Sequence, residues 1–419
     1  MSSQPANVTP NHNCLSEPVI RSLTPEKPLG RTEFIVLMAL MTSFIALSID
    51  IMLPALAVIG DDLGAVRDND RQLIVGVLFL GMAIGQLFFG PISDSTGRKP
   101  VILFGVGVFI AGCLVSAVAD SLAMMLFGRF LQGLGAAAPR NVIVAMIRDC
   151  YAGNAMAQIL SLIMSVFIIV PMVAPALGQG ILWVADWRTI FYGMLGLAVF
   201  AQLWFSLRQP ETLDTGSRRH FSADRLVSAF VEVFRTRTTM GCTIAMSLVF
   251  GAFVGYLASA QQVFQEIYFT GDRFALYFAV LAGTLGIASF LNSRIVLRIG
   301  MHKLTLISLV TVSIVSVLFL LYLTVFTAKP EFWLLMVFLL ACFFPFGILF
   351  GNLNALAMEP LGHIAGMGAA VVGSISTLLS VSIGSLVGQM FDGTVLPLGI
   401  GFALNLVLAL AVFIWTRRQ

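Results

Sequence analysis

The segment GPISDSTGRKP, residues 90–100, lies between two strongly apolar runs, residues 73–89 and 101–118. Gly81 and Gly85 of the first run, with Gly90 directly after it, are expected to let a neighbouring helix approach closely. The adjacent arginine and lysine of the segment place positive charge at a membrane edge. Its closing proline suits the first turn of the next helix. The segment therefore predicts a short cytoplasmic hairpin between two membrane-spanning helices.

The composition of the whole chain is that of a membrane protein. Hydrophobic residues make up 58% of the 419 residues and charged residues only 11%, whereas a soluble domain carries about 25% charged residues. The mean hydropathy is +0.95. A formal net charge of +3 is too small to suggest a nucleic acid as partner. The cysteines form no CxxC motif or Cys/His cluster, so neither a metal nor another cofactor is indicated.

Twelve segments reach the roughly 20 apolar residues that a membrane-spanning helix needs. They are 34–57, 72–92, 101–119, 122–144, 157–183, 188–207, 239–264, 273–296, 304–326, 332–356, 364–390 and 395–416. The polar, proline-rich residues 1–32 predict a disordered cytoplasmic tail. Residues 33–207 and 238–419 are predicted to form two six-helix halves, joined by a cytoplasmic linker over residues 208–237.

The basic residues indicate the orientation of these spans. With both termini in the cytoplasm, most of the 24 Lys and Arg fall on the cytoplasmic side, as the positive-inside rule requires. Two sequence echoes indicate that the halves repeat. RIGMHK follows span eight much as STGRK follows span two, and LGQG in span five is echoed by VGQM in span eleven. Their similar offsets favour a duplicated, pseudo-symmetric bundle.

Two ionisable side chains, Asp50 in span one and Arg129 in span four, lie well inside predicted spans. Each costs about 2.5–3.5 kcal/mol to insert, which makes it a functional candidate. The helical rise places both about 15 Å below the outer surface, so they can share a depth. We expect Asp50 to load and release a proton, with Arg129 positioning Asp50 or a substrate. A permanent Asp50–Arg129 ion pair is the alternative, and the role of Arg140, near the inner end of span four, stays open.

Other polar side chains within the spans predict a substrate cavity amid phenylalanine and methionine. Together with the two ionisable residues, the predicted cavity residues are Asp50, Arg129, Tyr256, Gln261, Gln262, Asn352 and Asn354. Hydrogen bonding between helices is an alternative role for any of these uncharged groups.

Pro171, Pro175 and Gly178 in span five predict a bent helix and a tight contact with another helix. Such a bend can act as a hinge or remain a static kink, and the sequence leaves both open.

The charged residues after span two suggest a conformational latch. Asp94 can accept a hydrogen bond from Arg98, or meet the positive N-terminal end of span eleven. With Gly90, Gly97 and Lys99, this contact is expected to stabilise an outward-facing state. Solvated charges that only set the topology are the alternative.

These motifs together resemble those of the drug:proton antiporters of the major facilitator superfamily, specifically the Bcr/CflA type. The matching residues are Asp50 and Pro54 in DIMLPAL, Gly90, Asp94, Gly97, Arg98 and Lys99 in GPISDSTGRKP, Arg129, Gln132, Gly133 and Gly135 in RFLQGLGAA, and Pro175 and Gly178 in VPMVAPALGQG. Ala174 and Gln179 replace glycines of the family's Gly-Pro-x-x-Gly-Gly core. Leu297 stands where Asp94 would recur in the second half, so only the first-half latch is expected to be complete.

The resemblance implies an all-α membrane protein with 12 transmembrane helices in two pseudo-symmetric halves. It implies export of small amphiphilic drugs, such as chloramphenicol-like or bicyclomycin-like compounds, in exchange for protons, with Arg129 at the position implicated in proton coupling. The expected setting is the bacterial inner membrane, with both termini cytoplasmic. The expected partners are drugs, protons and membrane lipids, and the expected state is a monomer.

Two other functions compete with drug export. A transporter of a metabolite, such as an amino acid or siderophore, would show a narrow substrate range. A non-transporting receptor is disfavoured, because the insertion cost of Asp50 and Arg129 would then have no evident use. An enzyme is not expected, since the sequence contains no HExxH, GxSxG or P-loop motif and its four histidines are far apart.

Overall fold

A computed structural model describes residues 29–151, 153–218 and 222–417, so nearly all of the predicted tail, residues 1–32, lies outside the described residues. The described parts are helical, with short turns between helices. The helices are α1 (Arg31–Asp50), α2 (Leu56–Asp62), α3 (Leu73–Thr96), α4 (Arg98–Ala117), α5 (Leu122–Cys150), α6 (Gly153–Leu182), α7 (Arg188–Arg208), α8 (Ala223–Arg235), α9 (Arg237–Gln261), α10 (Phe274–Ile299), α11 (Met301–Val325), α12 (Phe332–Met358), α13 (Ala365–Gln389) and α14 (Leu396–Arg417).

The predicted membrane spans are present among these helices. Eleven continuous helical segments of the described ranges are long and apolar enough to cross a membrane. One of them, Phe332–Gln389, contains both α12 and α13, which a short 3₁₀ turn at Glu359–Ile364 joins through the non-helical Leu361. Another, Arg31–Asp62, contains α1 and α2. The twelve-span, all-α prediction is therefore confirmed.

The spans pack as two groups. In the first, α5 packs against α3 and α4, while α1 packs on α6 and α4 on α7. In the second, α9 packs on α13, α14 and α12, and α11 joins α12 to α14. Contacts of α3 with α13 and of α6 with α10 connect the groups. The domain boundaries predicted from composition remain a prediction.

The helices α5 and α12 occupy equivalent places in the two groups. Leu122 begins α5 and Phe332 begins α12. Over residues 121–130 and 331–340, the order of buried, half-buried and exposed side chains is the same. Equal burial patterns mean equal packing environments, which is the consequence of a duplicated bundle.

The predicted linker, residues 208–237, contains the helix α8. Ser222 begins this helix, because its hydroxyl accepts a hydrogen bond from the backbone N–H of Arg225. Ala229 and Val233 of α8 are buried, and the helix packs against α9 and α13. The helical part of the linker therefore rests on the second half, on α9 and α13.

Glycines on α3 differ in how closely other helices approach them. At Gly85, an added Cβ would lie 2.6 Å from the Ala137 Cβ and 2.7 Å from the Leu134 carbonyl oxygen. At Gly90, the nearest atom is the Ala370 Cβ at 3.8 Å, an ordinary contact distance. The expectation of a close helix approach at Gly90 is therefore wrong, because α13 leaves room there for a methyl group.

This difference predicts opposite outcomes for two alanine substitutions five positions apart. Gly85→Ala should lower the stability of the purified protein by about 1–3 kcal/mol, the usual cost of overpacking. Gly90→Ala should not destabilise it. Thermal unfolding in detergent measures both variants, and equal unfolding temperatures would contradict this account of α3 packing.

Candidate functional site

The first membrane span is broken at Asp50. The helix α1 ends at this residue, and a 3₁₀ turn, Leu53–Ala55, separates it from α2. Pro54 lies at the start of that turn and cannot donate a backbone hydrogen bond. The side chain of Asp50 is only 5% exposed, and no described residue forms a hydrogen bond or ion pair with it. Burying an unpaired carboxylate costs free energy, so we expect Asp50 to bind a proton or a cationic group.

The break in α1 is covered by α6. An added Cβ at Gly178 would overlap the Ile51 carbonyl oxygen, so only glycine lets α6 approach the broken backbone this closely. The helix α6 continues through Pro171 and Pro175 as far as Leu182. The predicted tight contact is thus present at Gly178, whereas the hinge role of the prolines stays a prediction.

Arg129 is fully buried next to the same break. Its Nη2 donates to the Ser48 carbonyl oxygen at 2.8 Å and its Nε to the Ile74 carbonyl oxygen at 3.2 Å. Its Nη1 donates to Gln132 Oε1 at 2.5 Å. Arg129 forms no ion pair with Asp50, so the alternative of a permanent pair is not what the structure contains. Arg129 instead holds the backbone two residues before Asp50.

Gln132 extends this network to a fourth helix. Its Nε2 donates to the Cys113 Sγ at 3.4 Å, so Arg129 and Gln132 together connect α1, α3, α4 and α5. The sequence pattern marked Gln132 as a motif residue and did not identify Cys113 as its partner.

Tyr256 brings the second half to this site. It lies on α9, fully buried, and its hydroxyl has no hydrogen-bond partner. The charge of Asp50 lies within electrostatic range of that hydroxyl. Phenylalanine rings surround Tyr256, with that of Phe343 centred 5.0 Å away. The helix α9 contacts the turn Leu53–Ala55 that follows Asp50, and neither the Asp50 carboxyl nor the Tyr256 hydroxyl forms a hydrogen bond with a described residue.

A polar network joins the halves at the end of the bundle that the sequence predicts to face outward. Arg71 forms an ion pair with Glu266, and Gln72 donates to Gln262. Gln262 donates in turn to Asn69 Oδ1 at 3.0 Å. The last residue of α13 and Asn69 exchange hydrogen bonds of 2.7 and 3.0 Å. We refer to residues 69–72, 262–266 and 389 as the outer closure.

The other predicted cavity residues do not share one place. Gln261 Nε2 donates to Gln265 Oε1 at 3.2 Å, near the outer closure. Asn352 exchanges hydrogen bonds of 2.9 and 3.2 Å with Asn292 of α10. Asn354 is exposed, near the cytoplasmic end of α12. Of the five, Tyr256 alone is within electrostatic range of Asp50.

The charges after α3 form a cluster at the end of the bundle that the sequence predicts to be cytoplasmic. Arg98 Nη1 lies 2.5 Å from Asp94 Oδ1 and 2.8 Å from Ser93 Oγ, and its Nε lies 2.9 Å from Asp149 Oδ2. The Asp94 Oδ2 lies 3.7 Å from where a Cβ of Gly366, in the first turn of α13, would stand. Asp94 can therefore contact Arg98 and the N-terminal end of α13 at the same time. Its role as a latch stays a prediction.

The sequence analysis missed two carboxylates of this cluster, Asp149 and Glu211. Glu211 accepts from the backbone N–H groups of Arg98 and Lys99 at 2.9 and 3.1 Å, and so covers the start of α4. Gly97 has φ +113°, a conformation that favours glycine. Glu211 and Arg98 are 113 positions apart in the sequence, so the residues around Glu211 give no indication that the two pair.

A pocket of about 580 Å³ opens beside the outer closure. Both halves contribute to it, and its lining residues are Pro54, Val58, Asp62, Gln179, Leu182, Ala185, Asp186, Trp187, Gln265, Phe269, Gly271 and Asp272. Asp50 is not among them. Within the described ranges, no three His, Cys, Asp or Glu side chains are grouped so as to hold a metal ion.

Comparison with known proteins gives consistent matches. A family model described as Major Facilitator Superfamily matches residues 38–388. "Bicyclomycin resistance protein homolog" of Haemophilus influenzae is 30% identical over 370 residues, covering 87% of this chain and 91% of that protein. "Multidrug resistance protein MdtL" of Klebsiella pneumoniae is 34% identical over 206 residues, covering 48% and 52%.

A solved structure of the xylose transporter XylE from E. coli, in a partially occluded inward open conformation, has a similar fold. Its TM-score is 0.71 at 13% identity, with 93% of this chain and 98% of that chain covered. At this level of identity, the likeness concerns the fold alone.

Two glycines of span five provide a matched test of the contact with α1. Gly178→Ala should reduce the folded yield and unfolding temperature, because its methyl group would meet the Ile51 carbonyl oxygen. Gly180 has no atom within 4 Å of its Cβ position, so Gly180→Ala should behave like the unchanged protein. Size-exclusion chromatography and thermal unfolding distinguish them, and similar behaviour would refute the close contact.

The outer closure predicts a conformational effect of Glu266→Gln. Loss of the ion pair with Arg71 should populate states with the outer ends apart. Spin labels at Val66 and Phe269, which are 91% and 79% exposed, would then give longer distances. Glu331→Gln, also at an exposed outer position, is the control. An unchanged distance distribution in Glu266→Gln would show that the ion pair does not hold the closure.

Proposed function

Because the chain belongs to the Major Facilitator Superfamily, we propose that it exports small amphiphilic drugs in exchange for protons. Members of this superfamily are transporters rather than enzymes. The twelve spans and the packing of two groups of helices supply the architecture that alternating access needs.

The observation that carries the proposal is the unpaired carboxyl of Asp50 at the break of the first span. Burial without a hydrogen bond favours the neutral, protonated acid, while contact with water or a cation favours the carboxylate. A group in this position changes its proton occupancy when the access of water changes. Arg129 keeps its charge throughout, and it acts by holding the backbone beside Asp50.

Exchange follows from competition between the proton and the drug. If each stabilises a different state of the bundle, binding of one lowers the affinity for the other by the same factor. Proton entry from outside then drives the release of drug on that side. The helix α9 contacts the turn that follows Asp50, and its Tyr256 hydroxyl has no hydrogen-bond partner among the described residues, so we expect a molecule bound there to contact both halves.

The change of access requires the outer closure to open. It contains one ion pair and several hydrogen bonds between the halves. The cluster of Asp94, Arg98 and Asp149 lies at the cytoplasmic end, where α3 meets α13. We assign this cluster the role of a latch that holds the cytoplasmic end in the outward-facing state.

The names of the relatives support drugs as the substrate class. The two relatives named above are called bicyclomycin resistance and multidrug resistance proteins. A narrow transporter of a metabolite has no corresponding support. Chloramphenicol-like and bicyclomycin-like compounds are therefore the first substrates to test.

The proposed setting is the inner membrane of a bacterium, with the protein acting as a monomer. The chain is a multi-pass membrane protein with bacterial relatives. The excess of basic residues in alternate loops supports cytoplasmic termini.

Coupling is tested by proton release from inverted membrane vesicles on adding chloramphenicol or bicyclomycin. The native protein should release protons, and Asp50→Asn should not, because an amide cannot take up the proton. Asp61→Asn, an exposed change in the same span, serves as control and should release protons normally. Normal proton release by Asp50→Asn would refute the coupling role.

A further inference from the structure

The C-terminal part of α5 carries exposed residues along one face. Arg140, Val144 and Arg148 are exposed, while most residues between them are buried. A spacing of four residues places them on the same side of a helix. Arg140 lies about 15 Å from the cytoplasmic end of α5 at Cys150, so this face extends about a third of the way along the 29-residue helix.

Arg140 is a free cation at that depth. No described residue forms a hydrogen bond or ion pair with its guanidinium, in contrast to Arg129, whose three nitrogens all donate. The helices α9 and α12 of the second half contain no aspartate or glutamate. The guanidinium therefore offers its donors and its charge to whatever enters from the cytoplasm.

The second half presents aromatic rings at the matching position. Phe350 stands as far from the start of α12 as Arg140 does from the start of α5. Its ring centroid lies 5.5 Å from that of Phe250 and 5.7 Å from that of Phe253. All three rings are half-buried, and Asn354, one turn further towards the cytoplasm, is exposed.

We propose that these two faces bind an aromatic anion, with Arg140 pairing with its carboxylate and the three phenylalanines packing against its ring. This inference rests on the proposed export function and names the substrate class. A guanidinium binds a carboxylate through two parallel hydrogen bonds, and aromatic rings add stacking contacts. Arg148, also unpaired, lies nearer the cytoplasmic end of the same face, where its charge attracts anions to the entrance.

The test compares two probes that share one aromatic core, neutral chloramphenicol and anionic chloramphenicol hemisuccinate. Equilibrium binding is measured to the full chain in phosphatidylcholine nanodiscs. The native chain should prefer the hemisuccinate. Arg140→Gln should weaken hemisuccinate binding about tenfold or more, as expected for loss of a charged hydrogen bond. Arg140→Gln should change chloramphenicol binding by less than about twofold. Arg140→Lys should retain part of the preference for the hemisuccinate, because the lysine ammonium keeps the charge but lacks the paired donors of the guanidinium.

Two further variants keep the result decisive. Asn354→Asp adds a carboxylate beside the aromatic rings and should also reduce the preference for the hemisuccinate, which provides a second test if Arg140→Gln fails to fold. Arg235→Gln, an exposed change of the same charge on α8, should leave both affinities unchanged.

A native chain that binds the two probes equally, or binds neither, overturns the inference. An unchanged preference in both Arg140→Gln and Asn354→Asp overturns it as well. Arg140-dependent binding of the hemisuccinate without any proton-coupled export would instead contradict the proposed function alone.

Discussion

The buried guanidinium of Arg129 is the interaction on which the centre of the first half depends. A buried charge with unmet donors would cost several kcal/mol, so the surrounding backbone must supply acceptors. The carbonyl oxygens of Ser48 and Ile74 do so, at 2.8 and 3.2 Å. Because these belong to α1 and α3, one side chain of α5 fixes three helices around Asp50.

That arrangement permits a broken helix inside a membrane protein. Non-helical backbone is tolerated at membrane depth only where protein buries it. Gly178 of α6 covers the Ile51 carbonyl oxygen, and residues 51–55 are buried. The break leaves the Asp50 carboxyl buried, and α9 of the second half contacts the turn that follows it.

The two halves share their packing but differ in chemistry. Arg129 and Leu339 stand equally far from the starts of α5 and α12, as do Arg140 and Phe350. The burial patterns around the first pair match, so the same helix positions carry cations in one half and apolar groups in the other. In the proposed binding site, Arg140 of the first half supplies the charge and Phe350 of the second half supplies aromatic surface.

The sequence by itself determined the twelve spans, because hydropathy is a local property that twenty consecutive residues reveal. It also identified Asp50 and Arg129 through their insertion cost, and the Asp94–Arg98 pair is one helical turn apart. Only the tertiary structure decided that Arg129 bonds carbonyl oxygens rather than Asp50, that Gly85 is crowded while Gly90 is not, and that Glu211 reaches Arg98. These contacts depend on the register and rotation with which distant helices pack, which the composition of any single helix does not specify.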